Sequence, residues 1–472
     1  MNDKIRHYTV LVNDASQYAL HPDGTGAPRG WCPVASPAPR RSAPATSTST
    51  GPTRARLTCA GRRCSDMADM EVNLLDPGLF ARDAFWPVFA WLRRHAPVHR
   101  HPEADGPGFW VVSRYRDIAA VYADTESFSS RYGMRLDSDP GAVAAVSQRM
   151  LIVSDAPDHT QLKRVLQRSF GPSTMPGMEA LVRKVVAEVI GEAAEAEEVD
   201  FIDVAKKIPN YVVCALMGIP REDWEWIGDI TTAAFESEDE AERSGAHGEI
   251  FLYFADLLHE RRTRPGDDFV SVIAAERRAA DVPGGERPLT DEEIIFNCNG
   301  VLAGANETTR YSAAGGVLAL AGDPGQWALL RAAGPAGAPA AAEEILRWTT
   351  PGVHALRTVM RPVQVGGVRV EPGDRVTLWN VSANRDEELF AHGDRFLVDR
   401  TPNRHIAFGH GPHLCLGARL ARLELSVFVE ELARRIERIE LTGDPLYNAS
   451  NFTWGLRRLP VRLSPARVPV TA

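Results

Sequence analysis

Residues 408–418 read Phe408-Gly409-His410-Gly411-Pro412-His413-Leu414-Cys415-Leu416-Gly417-Ala418, a glycine-punctuated loop that reaches one cysteine and passes into the helix-favouring Ala418-Arg419-Leu420-Ala421-Arg422-Leu423-Glu424. A thiolate at a helix N-terminus gains from the helix dipole and from free backbone N–H groups, and small neighbours let a flat ligand lie against the backbone. A lone cysteine in such a loop also suits a small buried hydrophobe. Zinc or an iron–sulfur cluster would call for further cysteines or histidines at spacings such as C-x-x-C, and none accompanies Cys415. The metal ligation left open is one axial thiolate on a haem iron.

Working outward, Thr290-Asp291-Glu292-Glu293 has the form of a capping box and opens a helical stretch that Asp323-Pro324 ends. Some thirty residues at the α-helical rise extend about 45 Å, enough to cross a whole domain. Midway lie Gly300 and Gly304-Ala305-Asn306-Glu307-Thr308-Thr309-Arg310, where glycine and a threonine pair are poor interior choices. An ordinary helix tolerates them, with Glu307 and Arg310 a solvated pair one turn apart. Beside a haem thiolate the same residues take on a use: small side chains leave room for a diatomic ligand, a hydroxyl holds a water, and an acid relays protons to it. Further on, Glu344-Ile345-Leu346-Arg347 sets an acid and a base one turn apart, a spacing any surface helix can carry.

Taken together, and with Asn384-Arg385-Asp386 and Asp394-Arg395-Phe396 lying between Glu344 and Cys415, these segments resemble the bacterial soluble members of the cytochrome P450 superfamily, which are haem-thiolate monooxygenases. The resemblance implies a mainly α fold with small peripheral β-sheets, haem b lying between the long central helix and the helix after the cysteine loop. It implies Cys415 as the iron ligand within a loop where Phe408, Gly409 and Gly417 bind the cofactor. Glu307 and Thr308 become the acid and alcohol of oxygen activation, with Gly304-Ala305 standing where bacterial members commonly have Ala-Gly. Glu344 and Arg347 become scaffolding of the fold and haem pocket. Haem propionates demand cationic or hydrogen-bonding partners, and by resemblance these are His159, Arg357 and His413. Four residues after His159 the family usually has arginine; here Lys163 offers a point charge without the bidentate fork.

No G-x-G-x-x-G follows a strand signal, so nothing in the chain binds a flavin or nicotinamide, and electrons must come from separate proteins. Ferredoxin with its reductase is the expected donor, steered by a basic patch of Arg419, Arg422, Arg164 and Arg168. The resemblance implies reductive activation of O₂ and hydroxylation of a small organic or carrier-protein-tethered intermediate of secondary metabolism. Expected substrate contacts are the segment Arg131 to Leu151, the helix residues Val301, Leu302 and Ala305, then Val353, His354 and Ala355, and the turn Asn451-Phe452-Thr453. Two competing readings are a peroxide-driven haem-thiolate peroxygenase, needing neither donor nor relay, and a non-catalytic haem sensor or scaffold.

Composition bounds the rest. A chain of 472 residues, 44% hydrophobic, can bury one large core or two modest ones. Its net charge is −9, and residues 1–66 are basic, so the remainder is more acidic still and argues against a nucleic-acid partner. Apolar runs such as Gly316–Ala321 fall far short of the roughly 18 residues that span a bilayer, so no membrane anchor is expected. Six cysteines without framework spacing suit a reducing compartment and a cytoplasmic enzyme. Residues 1–66, rich in Pro, Ser, Thr and Arg, read as a disordered or non-native extension before a start at Met67 or Met70, and residues 67–472 as a single domain. Strand signals are short: Gly108–Val112, Val363–Val370 and Arg375–Trp379.

Overall fold

The computed structural model describes residues 73–466 apart from 105, 172–173, 238 and 281–284, together with three strands nearer the N-terminus. Those strands, Tyr8–Asn13, Tyr18–Pro22 and Trp31–Pro33, pair antiparallel with the first in the middle. They lie within residues 1–66, the segment read from sequence as a disordered or non-native extension. Tyr8-Thr9-Val10-Leu11-Val12 is a β-branched and aromatic run long enough for a strand, and the surrounding Pro- and Ser-rich composition hides it. The remainder of that segment, with Met67 and Met70, lies outside the described residues.

The central helix spans Asp291–Gly322, 32 residues or about 48 Å. Its capping box is formed in both directions: Glu293 N–H donates to Thr290 Oγ1 at 3.2 Å, and Thr290 N–H to Glu293 Oε2 at 2.8 Å. Helices Phe201–Met217, Ala338–Thr349 and Ala418–Arg435 pack around it, and one buried cluster joins Val213, Met217, Leu302, Ala314, Val317, Ile345, Leu425 and Phe428. Gly315 and Gly316 make the crossing close. A Cβ on Gly316 would stand 2.7 Å from Ile345 Cδ1, and one on Gly315 2.5 Å from Thr349 Cγ2.

The sheets are small and peripheral. The largest has five strands in the order Val98–Glu103, Gly106–Val112, Arg375–Trp379, His354–Val359, Phe128–Ser129. Its one parallel pairing joins Gly106–Val112 to Arg375–Trp379. Residues 363–370, read from sequence as one strand signal, form a hairpin of Val363–Val365 and Val368–Val370. The turn is Gly366-Gly367, with φ of +55° and +85°, angles that glycine adopts without a Cβ clash. No helix among the described residues is long and apolar enough to cross a membrane.

Candidate active site

The loop before Cys415 is shaped by two glycines in left-handed backbone, Gly409 at φ +73° and Gly411 at φ +68°. A side chain on Gly411 would drive its Cβ to 2.8 Å from the Tyr122 carbonyl oxygen, so the loop can lie against the end of helix Tyr115–Ala123 only with glycine there. Cys415 N–H donates to the Phe408 carbonyl at 2.9 Å, closing the loop just ahead of helix Ala418–Arg435. Lys163 reaches in from helix Asp158–Leu166 and donates to the carbonyls of Pro412 and of Leu414, the latter at 3.0 Å. Its ammonium clamps the loop.

Of the described cysteines, Cys214 and Cys298 are buried and Cys415 is accessible. Protein nonetheless surrounds Cys415 closely enough that desolvation is the largest influence on it and pushes the thiol pKa up. The N–H groups of Gly417 and Ala418 and the charges of Lys163 and Arg422 pull the other way. The N–H groups at the helix N-terminus thus favour the thiolate, as the dipole argument expects, while burial opposes them. A metal cation would complete that work.

Val301, Gly304, Ala305 and Thr308 recur at helical spacing on one side of the central helix. Gly304 is exposed near the midpoint of the helix, between the buried Leu302 and Asn306, and a Cβ there would meet nothing within 4 Å among the described residues. Thr308 Oγ1 donates to the Gly304 carbonyl at 2.7 Å. Glu307 is buried and paired with Arg310, one turn on. The pair is thus inside the protein, where sequence also allowed a solvated surface pair.

A third cluster gathers cations. The rings of His159 and His413 lie 3.9 Å apart, and His413 Nε2 is 3.3 Å from Ser130 Oγ. Burial, then Lys163 and Arg357, lowers His159 to about 4; burial, Arg357, His159 and Lys163 take His413 to about 2. The Arg357 guanidinium is buried, lies 5.3 Å over the Tyr122 ring and donates to the Leu356 carbonyl at 2.8 Å. Among the described residues no carboxylate forms an ion pair with it. A buried guanidinium beside two histidines held neutral is a place built for anionic groups, and the carboxylates of a haem fit it. Accessible thiol, bare helix midpoint and unpaired cation fit the three parts of one haem.

Glu344 and Arg347 are fully buried and pair through two contacts of 2.7 Å. Arg347 also donates to the carbonyls of Asn384, Gly393 and Arg395 at 2.7, 2.8 and 2.9 Å. Glu344 accepts from Leu397 N–H at 2.8 Å, Arg400 Nε at 3.0 Å and Asn403 Nδ2 at 3.1 Å. Every bond beyond the pair ties helix Ala338–Thr349 to the chain that leads into the cysteine loop. Sequence reading missed Arg400 and Asn403. It missed Glu343 as well, which accepts from Arg422 at 2.6 Å and faces His405 Nε2 at 3.1 Å, and which these partners hold near 2 against the upward pull of burial.

The expected substrate contacts differ in their burial. Leu302 and Val353 have no accessible surface and belong to hydrophobic cores, Leu302 on the flank of the central helix away from Gly304. His354 is buried too: Nδ1 lies 2.7 Å from the Asn451 carbonyl, and the ring packs on Trp379 at 4.9 Å and Phe452 at 5.6 Å. Strand alternation explains it, since His354 and Leu356 face one side and Ala355 and Arg357 the other. Asn451 and Phe452 are half-buried, with Asn451 Nδ2 donating to the Leu74 carbonyl at 3.0 Å and Arg135 lying 5.7 Å over Phe452. Arg131–Leu151 contributes Met134, whose carbonyl accepts from Leu356 N–H at 3.0 Å.

Comparison with known proteins agrees with this geometry. A family profile described as Cytochrome P450 matches residues 338–450. The chain is 34% identical over 400 residues to cytochrome P450 NovI of Streptomyces niveus, covering 84% of this chain and 97% of NovI. Among solved structures, P450 OxyD, involved in the biosynthesis of vancomycin-type antibiotics, is 35% identical with a TM-score of 0.74, over 84% of this chain and all of OxyD. P450BioI, solved in complex with hexadec-9Z-enoic acid ligated acyl carrier protein, is 26% identical with a TM-score of 0.72, over 80% of this chain and 97% of its own.

Proposed function

The chain belongs to the cytochrome P450 family of haem monooxygenases, and from that premise we propose that it hydroxylates a small organic or carrier-protein-tethered intermediate of secondary metabolism, using electrons from a ferredoxin. The observation that carries the reading is the accessible Cys415 thiol two residues beyond His413, whose ring meets His159 beside Arg357, a guanidinium with no carboxylate ion pair among the described residues. Cys415 would ligate the iron, while Arg357, His159 and His413 would take the propionates. Bound there, haem supplies reductive activation of O₂ and transfer of one oxygen atom to substrate.

The chain's own residues then have distinct tasks. Thr308 holds a water or a polar ligand atom at the bare helix midpoint beside Gly304. Glu307 carries protons toward it once it loosens from Arg310. Val301 and Ala305, half-buried on the same side as Thr308, contact the substrate. Support for the substrate class comes from the biosynthetic role of OxyD and the carrier-bound acyl group held by P450BioI.

A spectral screen tests the reading. Candidate acids and amino acids, free and as carrier-protein thioesters, are titrated into the haem-loaded protein, and displacement of iron-bound water is read from the Soret shift. The expected result is a saturable shift with one such class and a hydroxylated product on adding a ferredoxin, its reductase and NADPH. Shifts confined to unrelated hydrophobic ligands, with no product from either form, would refute the substrate class. Loss of the long-wavelength carbonyl band in Cys415→Ala checks the ligand separately.

A further inference from the structure

We propose that Asn306 holds a buried water on the flank of the central helix that faces away from Gly304 and Thr308, and that this water supplies protons to Glu307. Asn306 is only 6% exposed, and neither its Oδ1 nor its Nδ2 has a hydrogen-bond partner among the described residues. A carboxamide carries two donors and an acceptor with two lone pairs, so both ends are left unmet in a dry environment. An apolar side chain would suit a dry helix-packing seam better. Buried waters typically bridge about three such unsatisfied polar groups, and a side chain orphaned at both ends is a ready host.

A second orphan lies on the same flank. Asn299 Oδ1 is buried without a hydrogen-bond partner among the described residues, although the residue as a whole is half-buried. Seven positions of helix return to within about 20° of the starting direction, roughly 10 Å along the axis, so Asn299 and Asn306 mark one polar seam. Relative to Asn306, Arg310 is rotated by about 40° and Glu307 by about 100°, whereas Gly304 and Thr308 stand about 160° away. Glu307 therefore lies between the seam and the open side. Its bond to Arg310 already turns its carboxylate toward the seam. An excess proton on the Asn306 water passes to a Glu307 carboxylate oxygen and leaves neutral water behind; rotation of the Glu307 side chain then delivers it toward Thr308.

The inference rests on Glu307 and Thr308 acting as a relay, so the test separates the two. Wild type, Asn306→Leu, Asn306→Ser and Glu307→Gln are compared as haem-loaded full-length proteins. High-resolution density should show ordered water within hydrogen-bonding distance of Asn306 in wild type and none there in Asn306→Leu. Donor-supported turnover of Asn306→Leu should show a solvent isotope effect raised at least twofold and less product per O₂ consumed. Peroxide-supported turnover and the carbonyl spectrum should not change, and Asn306→Ser, with room for a second water, should recover part of the loss. Density without water at Asn306 overturns the proposal. So does a wild-type isotope effect in Asn306→Leu when Glu307→Gln alters it. If Glu307→Gln also leaves the effect unchanged, the relay reading has failed and proton supply falls with it, while density still decides the water site.

Discussion

A buried guanidinium without a carboxylate is tolerable only where an anion arrives from outside the chain, and Arg357 is in that position. Replacing it by leucine should leave the haem-free protein as stable as wild type or more so, yet loosen the haem. A charge-assisted hydrogen bond is worth about 1.5–3 kcal/mol, so haem transfer to an excess of apomyoglobin should speed up roughly tenfold or more. An unchanged transfer rate would place the propionates elsewhere. His354 gives a pH prediction of the opposite kind. Burial lowers its pKa from 6.5 to about 4, so the folded state resists a proton that the unfolded chain accepts. The stability it contributes is complete above pH 6.5 and is lost as pH falls toward 4. Melting temperatures of His354→Phe should fall less steeply than wild type across that window, and parallel curves would count against the assignment. His247, also lowered to about 4 by burial and by Arg135 and Arg243, cancels in the difference.

Between elements, the strongest claim concerns helix Ala338–Thr349. Glu344→Gln leaves Arg347 buried and uncompensated and removes the anchor of Arg400, so it should cost about 3–5 kcal/mol in a urea titration. Gly316→Ala should cost about 1–3 kcal/mol because Ile345 must shift, whereas Gly245→Ala, with nothing within 4 Å of the new methyl, should gain up to about 1 kcal/mol. Equal effects at the two glycines would deny that the helix crossing is tight. What was legible in sequence follows the same lines. The capping box, the glycine turns and the acid–base pair one turn apart are local, so residue spacing alone reveals them. Arg400 and Asn403 were hidden because they meet Glu344 across more than fifty residues that include four short strands, a separation no local spacing reveals. The burial of Leu302 and Val353 was not legible for a related reason: which side of a helix or strand faces the core depends on packing partners, and apolar residues look alike on either side.

At the scale of the whole molecule, an acidic body needs a local exception if it is to attract an acidic electron donor. Four arginines near the cysteine loop suggested one in sequence, but their charges are not equally available. Arg422 grips Glu343 and lies 4.7 Å over Phe408, and Arg168 is paired with Glu276. Arg164 and Arg419 are exposed and form no ion pair among the described residues, so steering falls mainly to them. The Lys163 clamp fixes helix Asp158–Leu166, which carries Arg164, against the loop that leads into the helix of Arg419. Reversing both, Arg164→Glu with Arg419→Glu, should slow reduction by a ferredoxin on the order of tenfold at low salt and flatten its dependence on ionic strength. Arg168→Gln, which frees Glu276 instead of removing an available cation, should do much less. Stopped-flow reduction under carbon monoxide measures both while the carbonyl spectrum reports an intact site. A double variant reduced at the wild-type rate in low salt would mean that the donor approaches another face, one where the charge of this acidic chain must be overcome by shape and apolar contact.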